Sequence, residues 1–214
     1  MLNSVPVTDT NKIRRSPRRA VYDRETVYAI LDEVPICHMG IVDQHRPVVM
    51  PMLHWRKDDT LYIHGASNGR LMCGGEGAPV CVTVTAFDGF VLARSAFNHS
   101  ANYRSVVIHG RAEPITGQEV KTALLKHFME LHFPGRWQQL RPMTEKELHA
   151  TSILKLPLDQ VSAKVRAEGA GDEKDDPDWC VWTGVLPVVS SQLAPIPDPA
   201  ARYLPLPGYL KSDC

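Results

Sequence analysis

The 214-residue sequence has no excess of charge of either sign, because 24 lysines and arginines balance 24 aspartates and glutamates. Nucleic acids and anionic membrane surfaces attract proteins with an excess of positive charge, so this balance argues against both as partners. The sequence also lacks an apolar run long enough to span a membrane and a signal-peptide pattern at its start. We therefore expect a cytoplasmic protein with no nucleic-acid or membrane partner.

Several familiar motifs are missing as well. The five cysteines are scattered without CxxC spacing, which is typical of reduced thiols in a cytosolic protein. The nine histidines form no HExxH and no zinc-ligand pair with a cysteine, so we expect no metal site. There is no GxGxxG and no GxxxxGK, which argues against a dinucleotide fold and a P-loop.

The sequence is rich in short segments of alternating apolar residues, and 43% of its residues are hydrophobic, which is enough for a core. This period of two predicts strands at 36–42, 48–55, 60–64, 79–85, 90–95, 103–115 and 153–165, the last interrupted at Pro157. Helical spacing and capping signals predict helices at 23–33, 118–133 and 144–148. The pattern predicts an α+β fold in which an antiparallel barrel carries a few peripheral helices.

The stretch 61–75, LYIHGASNGRLMCGG, joins a predicted strand to a short helix through a glycine-bearing turn. Ser67 is suited to cap the helix, and Arg70 lies at its entry. Backbone donors at a helix start, together with a guanidinium, bind anions such as phosphate. The same residues also fit an ordinary turn with a surface arginine, and these residues alone do not decide between the two.

Three segments occur in an order that resembles a known family: 47–55 (PVVMPMLHW), 61–70 (LYIHGASNGR) and 102–115 (NYRSVVIHGRAEPI). They resemble the pyridoxamine 5′-phosphate oxidase-like FMN-binding split barrels. Within these they are most similar to the branch of nitroimidazole-resistance (Nim-type) reductases and flavin-nucleotide-binding proteins. The resemblance implies a split barrel over 21–188, between a flexible basic arm at 1–20 and a proline-rich tail at 189–214. It also implies a homodimer with FMN, or alternatively FAD, at the subunit interface.

The resemblance also implies which residues contact the flavin. They are Pro51, Met52, Leu53, His54, His64, Gly65, Ala66, Ser67, Arg70, Asn102, Tyr103, Arg104, Ser105 and Trp182. Among them, Arg70 and Ser67 would bind the phosphate, and Trp182 belongs to a W-x-G-x-x-P segment whose aromatic ring packs near the cofactor in the family. His64 would lie beside the flavin as the catalytic residue, although a lone histidine at a strand end is also common as a hydrogen-bonded structural residue.

The implied function is that of a flavin-dependent oxidoreductase. The flavin would accept a hydride from a nicotinamide cofactor and pass electrons to a small substrate such as a nitro compound. Two alternatives remain, namely a flavin-nucleotide-binding or sensor protein without turnover and a haem-binding split barrel. Oxidation of pyridoxamine phosphate is not expected, because the proline-rich tail lacks the basic C-terminal motif of the true oxidases.

Overall fold

The computed structural model describes residues 3–172 and 179–210 of the chain. These residues form two compact units, one within Met1–Pro114 and Thr151–Val189 and the other within Ile115–Ala150 and Ser190–Cys214. The first unit contains all of the described strands, whereas the second contains two α-helices and the proline-rich segment. Among the described residues, no helix is long and apolar enough to cross a membrane.

An antiparallel sheet forms the first unit, and β10 pairs with β5 outside the strand order β1-β9-β6-β5-β2-β3-β4-β8-β7. The strands are β1 Ala20–Val21, β2 Ile36–Asp43, β3 Arg46–Lys57, β4 Thr60–Ala66, β5 Pro79–Leu92, β6 Ser100–Arg111, β7 Glu113–Pro114, β8 Thr151–Pro157, β9 Val161–Arg166 and β10 Gly184–Pro187. The helices are α1 Arg24–Glu33 and α2 Arg70–Gly75 in the first unit, and α3 Gln118–His132 and α4 Glu145–Ala150 in the second. The predicted α+β class and antiparallel split barrel are confirmed.

Strand β3 links the two parts of the sheet. Its residues 46–53 pair with β2, and its residues 54–57 pair with β4. At this change of partner the alternation of buried and exposed side chains breaks, so that the consecutive residues His54 and Trp55 are both buried. Elsewhere the period of two holds, as in β4, where Leu61 and Ile63 face the core as predicted.

Several predicted strand boundaries are wrong. The strand expected over 153–165 is two strands, because β8 ends at Pro157 and β9 begins at Val161 with different neighbours, β4 and β6 respectively. Proline lacks the N–H that a central strand needs, and the Leu158 N–H after it donates to the carbonyl of Asp59 in the turn between β3 and β4. The strands expected at 79–85 and 90–95 form one strand, β5, interrupted by a bulge at Asp88. Strand β10 was not predicted.

The bulge lets β10 approach β5 closely at Gly89. This glycine has φ of 149°, and a Cβ there would lie 2.5 Å from the Leu186 carbonyl oxygen of β10. The neighbouring atom belongs to the backbone, so it cannot move aside without displacing β10. The position therefore requires glycine.

We predict that Gly89→Ala lowers the free energy of unfolding by about 2 kcal/mol, because the variant either strains the backbone or detaches β10. Denaturant titration of the full chain measures this change. Gly171→Ala is the matched control, since a Cβ at Gly171 meets nothing within 4 Å. Equal stability of the two variants would contradict the tight approach at Gly89.

Part of the segment 1–20 contacts the first unit. The Val5 side chain is buried in the core, and its N–H donates to the Tyr22 carbonyl. Asn11 is also buried, with its amide nitrogen donating to the Pro6 carbonyl at 2.9 Å. The guanidinium of Arg19 pairs with the carboxylate of Glu168. The predicted division of the chain at residues 20 and 188 stays a prediction.

In the second unit, α4 begins with the predicted capping box. The Glu147 N–H donates to the Thr144 hydroxyl at 3.3 Å, and the Thr144 N–H donates to the Glu147 carboxylate at 2.8 Å. Arg141 also binds this carboxylate, and these bonds lower the pKa of Glu147 to about 2. Reciprocal bonds of this kind fix the start of a helix. Helix α3 ends at His132, one residue before the predicted end.

Candidate functional site

The turn between β4 and α2 differs in detail from the prediction. Gly69 is the residue that precedes the helix, and its N–H donates to the Ala66 carbonyl at 2.8 Å. The prediction that Ser67 caps the helix is therefore wrong, because a turn over 66–69 separates Ser67 from the helix start. Ser67 instead accepts a bond from the Cys73 thiol through its carbonyl oxygen. A Cβ at Gly69 would lie 2.9 Å from the Ala66 oxygen, so this tight turn favours glycine.

Arg70 opens α2, with its side chain about half exposed. Its Nε donates to Oδ2 of Asp43, the last residue of β2, at 2.6 Å. The carboxylate orients the guanidinium beside the turn. A phosphate bound at this turn would therefore share Arg70 with Asp43 or displace it, which makes this ion pair a point at which the phosphate hypothesis can be tested.

Arg104 on β6 is bound by two carboxylates. Its Nη2 donates to Asp88 Oδ1 and to Glu33 Oε1, each at 2.8 Å. The hydrogen bond from Arg104 lowers the pKa of Glu33, while the bonds to Glu33 and Asp88 raise the pKa of Arg104. This triad joins the end of α1 to the β5 bulge, and its two carboxylates outweigh the single positive charge of Arg104.

Asn102, also on β6, lies in a buried polar network. Its Oδ1 accepts from Arg166 Nη1 and from the Glu168 N–H, and its Nδ2 donates to the Glu168 carbonyl. Arg166 itself is only 5% exposed. Nearby, the Ser105 hydroxyl donates to the Lys164 carbonyl on β9. Asn102 and Ser105, both predicted to contact the flavin, thus form hydrogen bonds within their own chain.

His64 lies near the end of β4 against the ring of Trp55. The centre of its ring is 5.7 Å from that of Trp55, which stacks on Tyr62 at 5.5 Å. His64 is half-buried, and burial lowers its pKa below the ordinary value of 6.5. The ring is therefore neutral near pH 7 and packs against Trp55.

The lowered pKa of His64 predicts a pH dependence. In the unfolded chain the ring binds a proton near pH 6.5, whereas in the folded protein it does so only at lower pH. The contribution of His64 to stability is thus fully present above about pH 6.5 and decreases as the pH falls below this value. An NMR titration of the His64 ring in the folded protein is expected to give a midpoint below 6.5. A midpoint at or above 6.5 would show that the ring is not desolvated.

The predicted flavin strand 51–54 presents its residues to different sides. Pro51 and Leu53 are exposed, whereas the His54 imidazole is buried with its Nε2 3.1 Å from the Leu31 carbonyl. Met52 instead meets β4, since a Cβ at Gly65 would lie 3.2 Å from its Cε and 3.1 Å from Cγ of Met72. The structure thus brings Met52 against Gly65, as the resemblance implies for one wall of the site.

Trp182 is exposed and lies over Gly184, where a Cβ would meet its ring at 2.7 Å. Beside the bulge, Phe87 and Phe90 form an edge-to-face pair with ring centres 4.8 Å apart. The sequence-based prediction did not include this exposed pair.

Further large apolar side chains are exposed on β2 and β3, namely Ile36, Val42, Val49, Met50 and Leu53. By register Ile36, Val42, Val49 and Leu53 share one exposed face of the hairpin, whereas Met50, opposite the buried Met39, lies on the other side. The nearly continuous apolar run PVVMPML in β3 is the signal that could have indicated this exposed face, because it is apolar on both sides of the strand.

With this fold and arrangement in place, the chain belongs to the pyridoxamine 5′-phosphate oxidase family, whose sequence model matches residues 23–165. The resemblance predicted from the sequence is confirmed. This match ends at residue 165, before the proline-rich segment. That segment therefore lies outside the part of the chain that defines the family. No curated protein matches the chain.

Two solved structures are similar over nearly the whole chain. The flavocytochrome Anf3 from Azotobacter vinelandii is 40% identical, with 95% of both chains covered and a TM-score of 0.91. The FAD and haem binding protein from Mycobacterium smegmatis is 34% identical, with 90% of this chain and 95% of that chain covered and a TM-score of 0.85. A third structure, that of a candidate 5-nitroimidazole antibiotic resistance protein from Bacteroides thetaiotaomicron, is 24% identical. The match covers 68% of this chain and 86% of that chain with a TM-score of 0.56, and at this identity it shows the shared fold alone.

Proposed function

We propose that this chain is a redox protein that binds both a flavin and haem. The observation that carries the proposal is the 40% identity to a flavocytochrome across 95% of both chains. The relative from Mycobacterium smegmatis, described as binding FAD and haem, supports the same pair of cofactors. Haem binding was one alternative left open by the sequence, and these relatives favour it as an addition to flavin rather than a replacement for it.

The residues of the first unit fit a flavin. The turn at 66–69 exposes backbone near the start of α2, and Arg70 supplies a guanidinium for a phosphate group. Gly65 allows Met52 and Met72 to close on β4, which gives an apolar wall beside His64. When bound, the flavin supplies hydride and electron transfer, while the chain binds and orients it. We favour FAD over the predicted FMN because the relative at 34% identity is described as binding FAD.

We further propose that the exposed apolar face of β2 and β3 is covered by a second copy of the chain, as the predicted homodimer requires. An apolar face of this kind is typical of a protein–protein interface. Light scattering on the purified protein tests this, and a mass twice that of the 23.9 kDa chain is expected. The mass of a single chain would contradict it.

His64 remains our proposed catalytic residue, with a nitro compound as substrate and a nicotinamide cofactor as electron donor. We expect His64→Ala to keep its flavin and to lose at least about 100-fold in nicotinamide oxidation with a nitroimidazole as acceptor, because an acid–base residue typically contributes this much. His149→Ala, at an exposed position in α4, is the matched control. Unchanged turnover in His64→Ala would assign the ring a structural role.

Release of the cofactors by denaturation, followed by mass spectrometry, tests the proposed pair. We expect FAD and haem in comparable amounts. Flavin without haem, in protein expressed with ample haem, would reduce the function to that of a flavoprotein. FMN in place of FAD would restore the prediction made from the sequence.

A further inference from the structure

The second unit contains an open cavity of about 1010 Å³ that the site described above does not use. Its walls come from the C-terminal part of α3 and from the segment 195–210. They are mainly apolar, with side chains that include Met129, Phe133, Ile196, Leu204 and Leu206. A cavity of this size is large enough for a cofactor rather than a small ion.

Two arginines, Arg136 and Arg202, line the cavity, and Asp198 is the one acidic residue among its lining residues. Arg136 Nη1 donates to the Tyr209 hydroxyl oxygen at 3.2 Å, and so connects the residues after α3 to the end of the proline-rich segment. The guanidinium of Arg202 lies 4.8 Å from the centre of the Tyr203 ring. The wall therefore combines a large apolar surface with an excess of positive charge.

This combination selects the chemistry of the ligand. A broad apolar molecule that carries two carboxylates would place its ring against the apolar wall and its carboxylates near the two arginines. Haem has this chemistry. The wall also offers two kinds of side chain that ligate haem iron in proteins, a methionine sulfur at Met129 and a tyrosine oxygen at Tyr209.

The extent of the likeness to the flavocytochrome supports the same location. The match to the family's sequence model ends at residue 165, so the segment 195–210 of the cavity wall lies outside it. The flavocytochrome, by contrast, covers 95% of this chain. The 5% of this chain that the flavocytochrome does not match is shorter than the segment 195–210. The match must therefore include part of the cavity wall.

We propose that this cavity is the haem-binding site of the chain and that Arg136 and Arg202 bind the two haem carboxylates. The inference rests on the haem binding proposed above and adds its location. It places the two cofactors on different units, with the flavin on the barrel unit and the haem on the helical, proline-rich unit.

The test is a haemin titration of the full-length protein, followed through the Soret band, with flavin content measured in the same samples. The variant is Arg136→Gln/Arg202→Gln, which removes both charges but keeps hydrogen-bonding groups. Arg141→Gln is the matched control, because Arg141 lies in the same unit and pairs with Glu147 outside this cavity. We expect the double variant to bind haemin at least about tenfold more weakly, and the control to bind it as the wild type does.

Other results have distinct meanings. Wild-type affinity in the double variant would overturn the cavity as the haem site while leaving the proposed function intact. Loss of flavin with haemin binding retained would also overturn it and would assign the cavity to part of the flavin nucleotide. A wild-type protein that holds flavin but binds no haemin would refute the haem part of the proposed function, and this inference with it. If the double variant does not fold, as judged by circular dichroism, the single variant at the exposed Arg202 repeats the test.

Discussion

Arg70→Ala is expected to lose most of its bound flavin, whereas Asp43→Asn is expected to keep it. Arg70 lies at the start of α2 and is held by the Asp43 carboxylate at 2.6 Å. If the guanidinium binds the flavin phosphate, its removal costs a charge-assisted bond worth about 1.5–3 kcal/mol, or roughly a 10- to 100-fold loss of affinity. Removal of the Asp43 charge leaves the guanidinium in place and takes away its competitor.

The measurement is the flavin-to-protein ratio after purification, together with the dissociation constant for re-added flavin. Arg46→Ala is the matched control, because Arg46 is an exposed arginine opposite Asp43 in the β2–β3 hairpin. If Arg70 serves only the ion pair, Arg70→Ala and Asp43→Asn will affect stability alike and flavin affinity not at all. That result would show that residues 66–70 form an ordinary turn with a surface arginine, which is the alternative that the sequence left open.

Asn102→Ala is expected to lower the free energy of unfolding by about 3 kcal/mol. The substitution removes the side-chain oxygen that accepts from the buried guanidinium of Arg166 and from the Glu168 N–H. A buried cation that loses one of its acceptors keeps its desolvation cost, and this makes the loss larger than for an ordinary hydrogen bond.

Denaturant titration measures the loss, and Asn98→Ala, a half-buried asparagine before β6, is the control. The folded fraction of Asn102→Ala should still bind flavin, because the described bonds of this amide go to the chain itself. Loss of flavin without loss of stability would instead support the direct cofactor contact that the family resemblance implies.

The sequence predicted those elements whose signal is local. Leu61 and Ile63 face the core of β4 because strict alternation leaves only one face to bury. The capping box at Thr144 and Glu147 formed as expected, because both partners lie within one helical turn. The long apolar period of α3 likewise gave its bounds to within one residue.

The elements that were mispredicted depend on distant parts of the chain. Ser67 is the exception, because a local turn, closed by the Gly69 N–H on the Ala66 carbonyl, puts Gly69 rather than Ser67 directly before the helix. The break at Pro157 separates two strands because β8 and β9 have different neighbours, which strand periodicity does not encode. Strand β10 is only four residues long and is stabilised by its close approach to Gly89.

The candidate site was predicted in the same uneven way. The resemblance in three segments gave the family, which the match over 23–165 confirms. It could not give the partners of the charged residues, because Arg104 meets Glu33 through the folding of α1 onto the barrel and Asp88 through the pairing of β5 with β6. Haem remained one alternative among several, because its proposed cavity is built from α3 and the proline-rich segment rather than from a motif.

The central claim, that one chain binds both flavin and haem, is tested most directly by the absorbance spectrum of the purified protein before and after reduction with dithionite. We expect the twin bands of a flavin together with a Soret band, in comparable amounts per chain. On reduction the flavin bands should bleach and the Soret band should shift. A protein that shows, or takes up when added, only one of the two cofactors would contradict this claim, and one that binds neither added FAD nor added haemin would leave only the fold.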